Sequence, residues 1–316
     1  MAPTSQINRD VLIREVSPRD GLQSWPKVLD PNDIVTLVEA ILECQFSAVE
    51  VGSFVSPKWV PQMQHTAEVF HQLEEHHLKT STQLAALIPN MQGLEAALKA
   101  PVQQGVFFVS LSETYSQKNL NCSVAESLER LKPVAKKAME NGLDLTVDIS
   151  MAFGCPWEGW IPTWKLASLV EELVHMGFEE IYLADTTGTG NPKYIKDTFK
   201  VLLHEYPQVD WGLHMHDTRG TAIANVYSSL ELGVNRFDTS LGGIGGGPYA
   251  KGATGNVATQ DLVFLLESLG VKTGVNMEKL LVAGEVIEKI LGESLNSRVQ
   301  SAGIPEFWHG PVKFEE

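Results

Sequence analysis

Eight short apolar, β-branched runs recur along the chain, each followed by a longer stretch with helical spacing, and this alternation narrows the possible folds more than any other feature. The runs lie at 11–17 (VLIREVS), 48–54 (AVEVGSF), 82–88 (TQLAALI), 105–111 (GVFFVSL), 144–150 (DLTVDIS), 180–185 (EIYLAD), 211–217 (WGLHMHD) and 236–241 (RFDTSL). A parallel strand covered on both faces reads as a near-continuous apolar run, as these do. Between them Ile34, Leu37, Val38, Ile41 and Leu42 form one helical face, and Leu166, Leu169, Val170, Leu173 and Val174 form another. Asp30 before Pro31, Ser123 with Glu126, and Asn191 before Pro192 are helix-start signals. Eight strand–helix units predict an α/β chain closed into a single (β/α)8 TIM barrel. The expectation is one catalytic domain over 1–316, with the barrel at about 11–290, closing helices at 258–269 and 276–291, and a tail that is loose after 300.

In such a barrel the chemistry sits at the C-terminal ends of the strands, and the reactive side chains of this chain cluster there. The first run ends in Arg19-Asp20-Gly21, the second carries Glu50 and Ser53, the sixth ends in Asp185, and the seventh carries His214-Met215-His216-Asp217. Residues i and i+2 of a strand face the same side, so His214 and His216 form a pair suited to a metal ion. Asp20 is a hard oxygen donor of the kind Mg²⁺ and Mn²⁺ prefer, and the amide oxygen of Asn256 is a neutral one. Seven glycines lie between 242 and 256. They fit no nucleotide-loop spacing and predict either a mobile lid or a close backbone approach to a ligand.

Composition excludes other classes. Of 316 residues, 43% are hydrophobic and 20% charged, as in a globular chain. The net charge of −15 argues against nucleic acid, which requires a basic surface. An anionic ligand would then need a locally positive pocket, for which Arg19, Lys27, Lys58, Lys118 and Lys251 are the candidates. No apolar run has the length of a membrane helix. Cys44, Cys122 and Cys155 form no CxxC pair, and the N-terminal residues lack a secretory pattern, so the expected location is cytoplasmic.

Arg19-Asp20-Gly21-Leu22-Gln23, Glu50 with the stretch SFVSPKWVPQM at 53–63, Gly154-Cys155-Pro156, Asp185-Thr186, His214-Met215-His216-Asp217, and Pro248-Tyr249 through Gly255-Asn256 together resemble 3-hydroxy-3-methylglutaryl-CoA lyase. That family sits in the metal-dependent lyase and Claisen-synthase TIM-barrel superfamily. The resemblance implies a divalent ion, Mg²⁺ or Mn²⁺, held by Asp20, His214, His216 and Asn256. It implies Arg19, Glu50, Asp185 and His214 as catalytic residues. It places Gln23, Lys27, Ser53 and Gly247 at the substrate. The implied reaction is retro-aldol (retro-Claisen) cleavage of a 3-hydroxy acyl thioester, in an enzyme that forms a homodimer. Three positions depart from the family. Gly247 stands where its lid carries a proton-transferring cysteine. Ser24-Trp25-Pro26 replaces Asn-Glu-Lys after Gln23. Val51-Gly52 replaces two threonine-like residues, which predicts a less polar pocket with room for a bulky substituent at Gly52 and Gly247. A lyase or aldolase acting on a different, non-CoA hydroxy or oxo acid is the alternative, and a catalytically impaired barrel that binds a partner is another.

Overall fold

A computed structural model describes residues 10–77, 80–246, 252, 254–308 and 310. Its strands are β1 (Leu12–Glu15), β2 (Ala48–Ser53), β3 (Gln83–Leu87), β4 (Gln104–Ser110), β5 (Asp144–Ser150), β6 (Gly154–Cys155), β7 (Gly159–Trp160), β8 (Glu180–Asp185), β9 (Asp210–Met215) and β10 (Arg236–Thr239). Eight of them close a parallel barrel in the order β1-β10-β9-β8-β5-β4-β3-β2. Every apolar run of the sequence is one of these eight, because a strand buried on both faces has few residue types available to it.

The helix-start signals also hold. Asp30 caps Pro31–Leu42 by accepting from the Asn32 amide, Ser123 and Glu126 form a reciprocal box at the start of Val124–Glu140, and Asn191 caps Pro192–Glu205. The apolar face of Pro31–Leu42 buries Ile34, Leu37, Val38 and Ile41 against the barrel. Helices Thr259–Ser268 and Met277–Leu291 follow the last strand, near the expected closing segments.

Three elements were not legible in the sequence. Helix Glu113–Leu120 buries little beyond Tyr115 and Ser116, so it shows no apolar periodicity. Strands β6 and β7 form an antiparallel hairpin too short to have a pattern. The Glu158 carboxylate pins it by accepting from Ser112 Oγ and the Thr114 amide, both at 2.8 Å. Beyond 291, Arg298–Ala302 is helical, and the Asp261 carboxylate accepts from Ser297 Oγ at 2.6 Å and from the Val299 amide at 2.8 Å. No helix among the described residues is long and apolar enough to cross a membrane.

Candidate metal centre

Asp20 lies in a π-helical turn, Ser17–Gly21, directly after β1. Such turns are rare and are found mostly at functional sites. Here the Gly21 amide reaches back to the Val16 carbonyl at 3.2 Å, and Pro18 is the second residue of the turn. The turn aims Arg19 and Asp20 into the barrel mouth, where both are 5% exposed. His214 lies within β9, and His216 follows it just past the strand end. Asn256 arrives by a route the sequence does not show. After the glycine-rich segment the chain pairs with the end of β9, through a bridge between His216 and Asn256 and hydrogen bonds Val257 N to Met215 O (2.9 Å) and Asp217 N to Gly255 O (2.8 Å).

Two glycines make this return possible. A Cβ on Gly255, whose φ is +107°, would lie 1.9 Å from the Gly243 carbonyl oxygen. A Cβ on Gly245 would lie 2.7 Å from Asn256 Nδ2 and 3.2 Å from Asp20 Oδ2. Close backbone approach is thus the reason for the glycines at the base of the segment. Leu241, Gly242 and Gly243 form a buried 3₁₀ turn rather than part of a mobile lid. Gly247, Pro248, Tyr249 and Lys251 lie outside the described residues.

The four groups converge. Nε2 of His214 and Nε2 of His216 are 3.1 Å apart and lie 3.9 and 3.8 Å from Asp20 Oδ2. Asn256 Nδ2 lies 2.7 Å from the same oxygen. One of the two Nε2 atoms can donate to the other, but among the described residues that leaves the buried His216 Nδ1 without a hydrogen-bond partner, whereas an ion between them would take a lone pair from each. Among the described residues the buried Asn256 Oδ1 has no hydrogen-bond partner, as expected of an oxygen available to an ion.

Charge points the same way. Asp20, Glu50, Asp148 and Asp238 are buried carboxylates, and Arg14 and Arg19 are the guanidiniums paired with them. The buried carboxyls outnumber the guanidiniums, and burial raises the Glu50 and Asp148 carboxyls, so added positive charge at this site would be favourable. Buried charge of one sign is costly unless it is balanced. The donor set therefore fits a hard divalent ion.

Arg19 Nη1 donates to Asp20 Oδ1 at 2.7 Å, and its Nη2 pairs with Glu50 Oε2 at 2.8 Å. Its Nε is buried without a hydrogen-bond partner among the described residues. Arg19 is thus neutralised by its neighbours and does not make the mouth positive by itself. Burial opposes ionisation of Asp20, but the Arg19 charge overrides it and holds the carboxyl well below the usual range. Burial drives His216 down to about 4 against the pull of Asp20. On His214 burial acts the same way, but the hydrogen bond to Asp238 and the Asp20 charge outweigh it and raise the pKa.

The remaining expected residues divide. Gln23 Nε2 donates to Asp20 Oδ1 at 2.8 Å and so belongs to the centre. Ser53 is buried, and its hydroxyl accepts from the Val55 amide at 3.2 Å, bracing the loop after β2. Lys27 is exposed on the rim. Asp185 ends β8, as the sequence placed it, and its carboxylate is engaged locally. Tyr182 points into the barrel, its ring 4.3 Å from the Arg14 guanidinium, so Asp185, three residues on, points the other way. Its oxygens accept from the Thr189 amide at 2.9 Å and the Gly190 amide at 2.7 Å, which fastens the loop after β8. Among the described residues its hydrogen-bond partners include neither Arg19 nor a histidine. Nor does Gly52 leave a pocket, because a Cβ there would lie 2.6 Å from Thr66 Oγ1.

Sequence reasoning missed Arg14, Asp148, Tyr182 and Asp238. Arg14, Asp238 and His214 are register neighbours across β1, β10 and β9. Arg14 Nε and Nη2 donate to Asp238 at 2.8 and 2.6 Å, and Asp238 Oδ2 lies 3.0 Å from His214 Nδ1. The second Arg14 contact is Asp148 Oδ1 on β5, at 3.0 Å. A charged residue midway along each of three apolar runs was the available signal.

Comparison with known proteins shows the family. Residues 10–287 match the HMGL-like family. The chain is 41% identical over 290 residues to hydroxymethylglutaryl-CoA lyase YngG of Bacillus subtilis, covering 92% of this chain and 96% of that one. It is 42% identical over 294 residues to a 3-hydroxy-3-isohexenylglutaryl-CoA/hydroxy-methylglutaryl-CoA lyase of Pseudomonas aeruginosa, covering 93% and 97%. Among solved structures, an HMG-CoA lyase from Acinetobacter baumannii in complex with coenzyme A and 3-methylmalate superposes with a TM-score of 0.88 at 34% identity, covering 96% of this chain and 98% of that one. With this match over most of its length and these relatives, the chain belongs to the HMGL-like family.

Proposed function

We propose that this chain is a divalent-metal-dependent carbon–carbon lyase that cleaves a 3-hydroxy-3-methylglutaryl-CoA-like 3-hydroxy acyl thioester. The observation that carries this reading is the meeting of Asp20, His214, His216 and Asn256 beside Arg19, within a family of such lyases. Mg²⁺ or Mn²⁺ bound there would polarise the substrate oxygens and stabilise developing negative charge. Arg19 has a donor to spare in Nε, suited to the carbonyl oxygen that becomes the enolate. Glu50 holds the guanidinium in place from beneath. His214 is the relay that the resemblance implies, but with Nε2 turned to the ion position and Nδ1 engaged by Asp238 it is assigned here to the metal, and a base takes the hydroxyl proton. As that O–H bond breaks, a carbonyl forms at the carbinol carbon and the carbon–carbon pair passes to the α-carbon as enolate. Gln23, Lys27, Ser53 and Gly247 are assigned to the substrate, and the coenzyme A seen with the A. baumannii relative supports a thioester end. The resemblance supports a homodimer, and three buried free thiols fit the reducing cytoplasm.

The test is purified protein loaded with Mg²⁺ or Mn²⁺ and given 3-hydroxy-3-methylglutaryl-CoA. Release of acetoacetate is expected, slow for want of a thiol at 247 and faster in Gly247→Cys. General acid–base groups typically contribute about 10²–10⁴-fold, which bounds the gain. No acetoacetate with either metal overturns the reading. A substrate with a larger 3-substituent is the second reading, favoured by the isohexenylglutaryl-CoA named for the P. aeruginosa relative. Comparing acyl thioesters with free acids separates it from a non-CoA substrate.

A further inference from the structure

Four carboxylates surround the floor of the candidate site, and they differ in what they have left to give. Asp20 is committed, with Oδ1 accepting from Arg19 and Gln23 and Oδ2 from Asn256. Glu50 is sealed at 0% exposure behind Arg19. Asp238 is 1% exposed and is shared between Arg14 and His214. Asp148 differs from all three. It is held through Oδ1 alone, by Arg14 Nη2, and Oδ2 takes no hydrogen bond among the described residues. It keeps 6% exposure, like Arg19, Asp20 and the two histidines at 5%, while Arg14 at 1% is closed off. It also lies within ligand distance of the His214 ring. Asp148 therefore lines the same cleft as the metal centre and presents an oxygen to it.

This oxygen is not the ligand of a second ion. Asp148, His214 and Asp238 bring donor atoms together, but the Arg14 guanidinium already lies between the two carboxylates, at 3.0 and 2.6 Å. Its charge and its donors satisfy what a second cation would.

A carboxylate oxygen facing a cleft accepts hydrogen bonds and repels anions. The proposed substrate class offers three polar groups near the bond that breaks. The thioester carbonyl and the free carboxylate are acceptors, and the hydroxyl is the donor. We propose that Asp148 is a substrate-contacting specificity residue that accepts the hydrogen bond of the 3-hydroxyl, with Arg14 fixing its position. This rests on the lyase reading above. It orients the carbinol with its hydroxyl toward the β5 side of the barrel, and it turns the substrate carboxylate toward the rim. The hydroxyl, rather than the acyl chain, then becomes the feature by which this chain selects ligands at depth.

The test uses the full chain loaded with Mn²⁺ and two non-cleavable thioether analogues of 3-hydroxy-3-methylglutaryl-CoA, one with and one without the 3-hydroxyl. Calorimetry gives Kd for each on the parent, on Asp148→Ala and on Asp148→Asn. The parent should favour the hydroxyl analogue by about tenfold or more, as a hydrogen bond to a charged group does. In Asp148→Ala the ratio should fall close to one, with Mn²⁺ affinity kept within a few-fold as the sign of an intact fold. Should Asp148→Ala not fold, the near-isosteric Asp148→Asn carries the test, and its ratio should drop several-fold through loss of charge. A parent without preference, or a ratio unchanged in the variants, overturns the proposal. Failure of the parent to bind either analogue overturns the lyase reading instead.

Discussion

Asp238 Oδ2 stands 3.0 Å from Nδ1 of His214, so the face of the imidazole away from Asp20 is already engaged. A carboxylate in this position keeps the proton on Nδ1 and leaves the Nε2 lone pair directed at Asp20 and His216. Arg14 holds Asp238 by two hydrogen bonds, so the ring is oriented by a chain of charges running across three adjacent strands. Asp238→Asn should weaken Mn²⁺ binding by about 10–100-fold, as loss of such a partner does elsewhere. A Mn²⁺ titration followed by electron paramagnetic resonance measures this, and unchanged affinity would show that His214 orients itself.

Arg19→Met should lower kcat by about 10²–10³-fold with a smaller change in KM, because the charge it meets develops in the transition state. It also strands Glu50, which is buried and paired to Arg19 at 2.8 Å. Leaving a buried partner uncompensated costs about 3–5 kcal/mol, so the melting temperature should fall too. Equal losses in kcat for Arg19→Met and Arg19→Lys would show that the guanidinium fork, not charge alone, is required.

Glu15 gives the chain a pH dependence away from the metal centre. Its oxygens accept from the Ser17 and Leu241 amides at 2.9 and 3.0 Å and from Thr259 Oγ1 at 2.6 Å. Burial pushes its carboxyl from the ordinary 4.5 up to about 7, against those hydrogen bonds. A raised folded-state pKa means stability fully present below pH 4.5 and lost as pH rises through 7. The stability of the parent relative to Glu15→Gln should therefore decline by roughly 3 kcal/mol across that window. Urea unfolding of both proteins at several pH values decides it, and parallel profiles would contradict the assignment.

Gly245→Ala should impair ion binding without replacing a ligand. The glycine has a φ of +112°, and a methyl there meets the Asn256 amide and the Asp20 carboxylate together. The amide must move away from the carboxylate, so Mn²⁺ affinity should drop by about tenfold or more, the scale found when groups that orient metal ligands are lost. Gly220→Ala makes the control, since its φ is also positive and no atom lies within 4 Å of the added carbon.

The spacing of apolar residues in the chain already specified eight strands, their order of appearance and the helices between them, because burial on both faces or on one stripe leaves a periodic mark. It also specified which donor types stand at the ends of β1 and β9, since a polar residue at the end of an apolar run is visible as an exception. Parity was the first thing it could not supply. Asp185 follows an apolar run just as Asp20 does, but three positions from the inward-facing Tyr182 it turns out to brace a loop.

Closure of the barrel decided the rest. Arg14, Asp148 and Asp238 stand in three separate runs, with 134 and 224 positions between Arg14 and its two partners, and nothing local marks them as neighbours. Only when β1 pairs with β10 and faces β5 across the interior do their charges meet. The same closure brings Asn256 to His216, through a backbone bridge that no periodicity encodes. Hydrophobic pattern is a local property of sequence, whereas charge compensation in a buried interior depends on distances that exist only in the folded chain.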